Sequence, residues 1–441
     1  MLVTTIVAAS ASAQPRPLAP TPPMGWNSWD AYGTTVTEAQ VKASADVMAR
    51  DLARYGWRYV TVDIQWYQPT ARGHDYQPGA RLAMDSVGRL VPAPNKFPSS
   101  ANGAGFRPLA DYVHAKGLAF GIHIMRGIPR QAVAANLPIE GTPYHARDVA
   151  DTTNGARWNP DMWGVDVSRP GGEAYYDGIA RLYASWGVDF VKADDMGDHA
   201  FQPAEIAALR RALDRTGRPM VLSISPGPAA LGEAAFFAAH AQLWRISDDF
   251  WDDWKLVRKQ FDYTRDWAPH VGVDGGWPDA DMLPLGRLRV TDPAGRGSAS
   301  RLTADEQRTV MTLWSIFRSP LILGGDLPTL DEPTRALLTN PEVLAVNQHG
   351  RAPRQVLERP GLRVWRAEVP GSADRYVAVF NLDDAPQQVD LAWTDVGLAA
   401  PPGRARRARP VRDLWARRAL GTADRLRVTL APHAAALYRV R

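Results

Sequence analysis

Eight short apolar runs, separated by longer amphipathic stretches, constrain this chain more than any other feature. The runs are Met24–Trp29, Tyr59–Trp66, Ala119–Met125, Asp189–Met196, Met220–Pro226, Leu243–Phe250, His270–Trp277 and Pro320–Leu327. Helical apolar spacing fills most of the intervals, as in Thr37–Tyr55, Arg107–Lys116, Gly172–Trp186, Pro203–Thr216 and Ala304–Phe317. Strand–helix alternation implies parallel pairing. Eight repeats predict closure into a (β/α)8 barrel, an α/β fold spanning residues 20–346. The 441 residues leave room for a second module. Beyond Asn347 the period shortens. Leu362–Glu368, Arg375–Asn381, Gln388–Trp393, Pro410–Leu414, Leu426–Leu430 and Ala434–Val440 alternate in the manner of strands and are separated by turn residues. Residues 347–441 therefore read as a small antiparallel β-sandwich packed against the barrel as its support.

In a parallel barrel the C-terminal ends of the strands open onto the functional face. Val188–Asp189–Phe190–Val191–Lys192–Ala193–Asp194–Asp195 runs from an apolar body into a lysine and two carboxylates. The side-chain period of two puts Lys192 and Asp194 on one face. An ammonium beside a carboxylate favours its ionised form, which makes Asp194 a candidate nucleophile. With six lysines against 45 arginines in the chain, Lys192 is a selective choice. Polar residues close other runs: Trp26 and Trp29 the first, Asp63 the second, His123 the third, Arg245 and Asp249 the sixth, and Asp281 follows the seventh. A ring of carboxylates with tryptophan suits a sugar, whose hydroxyls take the carboxylates and whose C–H face packs on the ring. Two aspartates facing one cavity are the minimum equipment for glycoside hydrolysis, one attacking the anomeric carbon and the other protonating the leaving oxygen.

Structural alternatives stand beside each reading. Asp63 can cap a loop, His123 can be a core histidine, and Arg245 can be a structural partner of Asp249. A bulge at a strand end would exchange Asp195 for Asp194 or Asp248 for Asp249. The carboxylates Asp194, Asp195, Asp198, Asp248, Asp249 and Asp252 could hold a divalent cation, but Lys192 would repel it. No metal is therefore expected. The net charge is only +4, and the densest basic run (Arg404, Arg406, Arg407, Arg409, Arg412) lacks interleaved aromatics, which argues against a nucleic-acid partner. Without cysteine, thiolate chemistry and disulfides are excluded. The apolar run Leu2–Ala9 before Ala11–Ser12–Ala13 reads as a signal peptide over residues 1–13 that lacks the usual positive start, pointing to a secreted or periplasmic location. No stretch is long and apolar enough for an integral membrane segment.

Several segments resemble glycoside hydrolase family 27, the retaining α-galactosidase and α-N-acetylgalactosaminidase family. They are Thr21–Pro22–Pro23–Met24–Gly25–Trp26–Asn27–Ser28–Trp29, Trp244–Arg245–Ile246–Ser247–Asp248–Asp249 and Gly275–Gly276–Trp277–Pro278–Asp279–Ala280–Asp281–Met282–Leu283. Pro320–Leu321, Asp326–Leu327 and Asn347–Gln348 resemble the end of the family's barrel. Val411–Trp415 and His433 through Tyr438 resemble its C-terminal β domain. The resemblance implies Asp194 as nucleophile and Asp249 as acid/base, with Lys192 and Arg245 on sugar hydroxyls. It places Trp29, Asp63 and Asp281 in the pocket wall. The implied reaction is double displacement through a covalent glycosyl-enzyme, without a cofactor.

Three positions depart from the family. Asp63–Ile64–Gln65–Trp66 stands where D-D-C-W is usual, so one sugar-gripping carboxylate is an isoleucine. His123 replaces a tyrosine. Ser225–Pro226–Gly227–Pro228 replaces a glutamate-tryptophan loop that helps read the 2-hydroxyl, putting Ser225 in the substrate shell. The expected activity is an exo-acting α-galactosidase on oligosaccharide or polysaccharide. The alternatives are the same mechanism on an α-N-acetylgalactosaminide, a β-L-arabinopyranoside or an α-glucan unit, and a non-catalytic sugar-binding barrel.

Overall fold

The computed structural model describes residues 17–197, 201–292, 294–398 and 408–441. The signal peptide expected over residues 1–13, Asp198, and Arg404, Arg406 and Arg407 lie outside them. Eight parallel strands form the first domain: β1 (Met24–Asn27), β2 (Tyr59–Val62), β3 (Ala119–Met125), β4 (Phe190–Asp194), β5 (Val221–Ile224), β6 (Leu243–Arg245), β7 (Trp277–Asp279) and β8 (Leu321–Leu323). They pair in sequence order from β1 to β7, and β8 pairs with β1. The remaining gap closes through Leu283, whose N–H donates to Ile322 O at 2.7 Å and whose carbonyl accepts from Gly324 N at 3.0 Å. The sheet thus curls into a barrel. Every residue of β3, Ala-Phe-Gly-Ile-His-Ile-Met, is buried, as expected of a strand covered on both faces.

Several strands are shorter than their apolar runs. β4 stops at Asp194 because Asp195 takes a left-handed backbone (φ 64°). β6 stops at Arg245, so Asp249 lies on the following loop rather than on the strand. The seventh strand is Trp277–Asp279, not His270–Trp277. Ala268–His270 and Val273–Gly275 form 3-10 turns, and Gly272, Asp274 and Gly275 have positive φ, which no strand accepts. Between β3 and β4 the chain makes an excursion with its own three-stranded sheet, Ile128–Pro129, Ala150–Gly155 and Met162–Val165. No alternating apolar run in the sequence marks it, because its strands are short and partly exposed. The helix expected over Thr37–Tyr55 begins with a Thr37–Gln40 capping box and passes into a π turn at Met48–Leu52.

The last barrel helix, Pro341–His349, leads directly into the second domain. Its strands are β9 (Arg351–Arg359), β10 (Leu362–Glu368), β11 (Arg375–Asn381), β12 (Gln387–Ala392), β13 (Arg409–Asp413), β14 (Arg418–Ala423), β15 (Arg425–Leu430) and β16 (Ala435–Val440). β9 and β14 were not expected. Both are largely exposed edge strands, and neither alternates cleanly. The large sheet has the order β9-β10-β11-β16-β13-β14, and β12 pairs with β15 in the small one. Alternation within the large sheet assigns its two faces. Val364, Val377 and Val379 pack toward the small sheet with Val389 and Leu391. Trp365, Tyr376, Ala378 and Phe380 join the barrel core. Phe380 meets Phe261 at 5.0 Å, and Trp415 Nε1 donates to Thr312 Oγ1 at 2.9 Å. One sheet thus supplies two cores, fixing the second domain against the barrel. No helix among the described residues is long and apolar enough to cross a membrane.

Candidate active site

A cavity of about 480 Å³ opens at the C-terminal ends of the barrel strands. Trp29, Asp63, Lys192, Asp194, Ser225, Arg245, Asp249 and Asp281, all singled out in the sequence, line it. His123 does not. It is fully buried and stands behind the cavity, donating from Nε2 to Asp194 Oδ2 at 3.0 Å. Trp26 is also turned away, its indole donating to Gly325 O at 2.8 Å.

Asp194 ends β4 with its carboxylate held at both oxygens. Ser225 Oγ donates to Oδ1 at 2.6 Å, opposite the His123 contact on Oδ2. Burial alone would raise its pKa. The His123 hydrogen bond and charge, the nearby Lys192 ammonium and the Ser225 hydroxyl overcome that effect and hold the carboxyl well below the usual carboxylate range. Lys192, two residues earlier on the same face, donates to Asp63 Oδ2 at 3.0 Å. Burial pulls its pKa down, but Asp63, Asp194 and Asp281 outweigh burial and keep the ammonium charged. Asp63 also accepts from Asn27 Nδ2 at 2.7 Å and remains ionised despite its burial. These donors fix an anion in place before any ligand arrives, the preorganisation that nucleophilic catalysis requires.

Asp249 stands at the mouth with its side chain 69% exposed, against 15% for Asp194. Arg245 links it inward, with Nη2 3.2 Å from Asp249 and Nη1 2.8 Å from Asp281. Arg245 and Asp249, expected together at the end of one strand, meet instead because β6 ends at Arg245 and the loop carries Asp249 back. Asp248 also lines the cavity. Asp195 points away and is bound to Arg126 at 2.7 Å, and Arg126 in turn binds Glu205 at 2.8 Å. Asp252 is engaged by Arg301 at 3.1 Å. Gly227 brings the β5 loop against β6. A Cβ there would lie 2.4 Å from Ser247 O, so only glycine fits.

Gln65, Asp195 and Asp281 all adopt positive φ at the barrel mouth, and each is anchored. Strain of this kind gathers at functional sites. Lys96 Nζ donates to Gln65 O at 2.8 Å, Arg126 holds Asp195, and the Phe250 N–H donates to Asp281 Oδ2 at 2.7 Å.

The family pattern described as Alpha galactosidase A matches residues 164–349, and the Alpha galactosidase C-terminal beta sandwich domain matches 360–440. Alpha-galactosidase 3 of Arabidopsis thaliana is 30% identical over 90% of this chain and 76% of its own length. The alpha-galactosidase of Coffea arabica is 30% identical over 90% and 87%. The chain belongs to glycoside hydrolase family 27. It is a glycoside hydrolase. A GH27 β-L-arabinopyranosidase from Geobacillus stearothermophilus superimposes with a TM-score of 0.91 at 49% identity, over 96% of this chain and 97% of that one.

Sequence reasoning missed much of this hydrolase's cavity wall. Tyr76, Trp158, Trp251, Met282 and Asp30 line it. Tyr76 stacks on Trp29 (6.3 Å, 10° between planes) and meets Trp158 at 5.4 Å, while Arg289 covers Trp251 at 4.0 Å. Trp158 is 37% exposed, and its aromatic character next to a wet cavity was the available signal.

Asp279, just below the site, is pushed up to about 7 by burial and by Asp281, with Arg245 opposing. Its neutral form is favoured in the fold, while the unfolded chain titrates near 4. The folded state therefore binds the extra proton, and stability falls as pH rises from about 4 to about 7. Asp279→Asn keeps the acceptor for the Asp281 N–H, 2.9 Å away. The variant is expected to melt above the wild type, by a margin that widens between about pH 5 and about pH 8. Thermal melts at the two pH values check this, and a constant margin would refute it.

Proposed function

We propose that this hydrolase is an exo-acting, retaining glycosidase that releases terminal β-L-arabinopyranosyl groups in preference to α-D-galactosyl groups. Asp194 attacks the anomeric carbon while Asp249 protonates the leaving oxygen. Asp249 then takes a proton from the water that opens the glycosyl-enzyme. Lys192, Asp63, Arg245 and Asp281 bind the hydroxyls.

One observation carries the sugar preference: Ile64 lines the cavity at the position where the family's usual D-D-C-W motif has its second carboxylate. β-L-Arabinopyranose has the ring configuration of α-D-galactopyranose without the hydroxymethyl group. An isoleucine wall suits a ring edge with no hydroxyl to pair, and it leaves the galactose 6-hydroxyl without that partner. The Geobacillus β-L-arabinopyranosidase named above supports the same reading. The α-D-galactosyl group is the second reading, supported by the plant relatives. Asp249 at the mouth supports a leaving group outside the cavity and hence a chain-end substrate. We assign the catalytic barrel to residues 20–346, its support to 347–441 and the protein to an exported location.

Turnover on p-nitrophenyl β-L-arabinopyranoside, α-D-galactoside, α-N-acetylgalactosaminide and α-D-glucoside tests the reading. The arabinopyranoside is expected to lead the galactoside by about tenfold or more in kcat/KM, the scale of one missing partner. Proton NMR of the first-formed sugar is expected to show retained configuration. A faster galactoside would reverse the order of the two readings, and an inverted product would refute the mechanism.

A further inference from the structure

We propose that Asp30 contacts the bound sugar, donating a hydrogen bond to the hydroxyl on C4, and so selects the axial configuration there. This rests on the glycosidase reading above. Asp30 follows Trp29, one residue past the segment that resembles the family, and the chemistry derived so far leaves it without a task.

The placement is unusual. Asp30 lines the cavity yet is only 2% exposed. Its Oδ2 is sealed and has no hydrogen-bond partner among the described residues. It lies against Gly324, where a Cβ would come within 1.9 Å of it. That leaves Oδ1 as the polar atom available to the cavity. A buried carboxyl without a partner costs free energy unless a ligand completes it.

The charges around it determine what it can do. Asp63 from the end of β2, Asp249 from the loop after β6 and Asp281 from the loop after β7 surround it, with Lys192 of β4 as the opposing charge. Burial and these carboxylates push its pKa well above the usual carboxylate range and so favour the neutral form, which can donate. Asp63, Asp194 and Asp281 are each held by cations or hydrogen-bond donors and act as acceptors. Asp30 supplies the missing type of group, a neutral carboxylic acid that donates.

Barrel order identifies the target. The anomeric carbon must sit between Asp194 on β4 and Asp249 after β6. Asp30 lies in the short helix Trp29–Tyr32 that follows β1, and β1 pairs with β2 and β8 and lies across the barrel from that arc. In a pyranose, C4 is the ring atom opposite C1. Asp30 and Ile64 therefore face the C4–C5 end, with Asp30 at the hydroxyl and Ile64 at the bare C5.

The test compares wild type with Asp30→Asn, Asp30→Ala and Asp30→Leu on a p-nitrophenyl glycoside and on its 4-deoxy analogue. The parent is whichever of the β-L-arabinopyranoside and α-D-galactoside wild type hydrolyses, since both carry the axial hydroxyl. Asp30→Asn, which can still donate, is expected to stay within about threefold of wild type. Asp30→Ala and Asp30→Leu are expected to lose about 10- to 100-fold in kcat/KM on the parent, the worth of one buried donor, and less than about threefold on the 4-deoxy sugar. Asp30→Leu keeps the same branched heavy-atom skeleton should the alanine variant fail to fold. Equal losses on both sugars, or no loss on either, would overturn the proposal. Wild type inactive on both parents would instead overturn the sugar assignment on which this proposal rests.

Discussion

Asp194→Asn is expected to lower kcat by about 10⁴-fold or more while leaving the fold and sugar binding in place. The geometry explains why the variant should fold. Asparagine has the shape of aspartate, and only one of its two terminal atoms becomes a donor. His123 donates from Nε2 toward Oδ2, so the amide oxygen belongs there, and the amide nitrogen falls beside Ser225 Oγ. A hydroxyl rotates to accept as readily as it donates. The substitution therefore removes the negative charge and the nucleophile with little other disturbance. Turnover should vanish on every sugar that the wild type hydrolyses, and free sugar should still raise the melting temperature of the variant. Turnover within about tenfold of wild type would eliminate Asp194 as nucleophile. Loss of the melting shift as well would mean that the charge itself holds the ligand.

The same carboxylate shows how much of the site was legible beforehand. Lys192 and Asp194 could be read because a strand has an invariant period, and β4 stays regular to Asp194. Asp195 was separable in principle only by its backbone turn, which depends on Arg126 from another strand end. The Arg245–Asp249 contact was expected for the wrong reason: the strand ends early and a loop restores the meeting. His123 was ambiguous because β3 is buried along its whole length, and burial alone cannot distinguish a ligand from a group behind a ligand. Its 3.0 Å contact with Asp194 places it behind. Trp158 and Tyr76 escaped notice because they sit in loops, where no period exists to place a side chain. Edge strands β9 and β14 were missed for the related reason that exposed strands carry little apolar alternation.

Ile64→Asp is expected to reverse the sugar preference, favouring α-D-galactoside over β-L-arabinopyranoside by about 100-fold or more relative to wild type. Isoleucine offers the galactose 6-hydroxyl nothing, so binding it there strips water without replacement, at a cost of about 1–3 kcal/mol. A carboxylate would supply the acceptor. In the arabinopyranoside complex the same carboxylate would be left desolvated and unpaired, so the change acts on both substrates with opposite sign. The surroundings bound the effect. Asp63, Asp194 and Asp281 already share Lys192 as a nearby cation, and a further negative charge tends to weaken the ionised state of each. Total activity should therefore drop even as the ratio moves. Ile64→Asn separates the two contributions, since it restores a polar partner without adding charge. It is expected to shift the ratio in the same direction by a smaller factor, about tenfold, with less loss of turnover. The ratio of kcat/KM values on the two p-nitrophenyl glycosides is the measurement. An unchanged ratio in both variants would mean that Ile64 does not face C5, and the choice of sugar would then belong to another part of the wall, with Trp29 and Met282 the residues left to test.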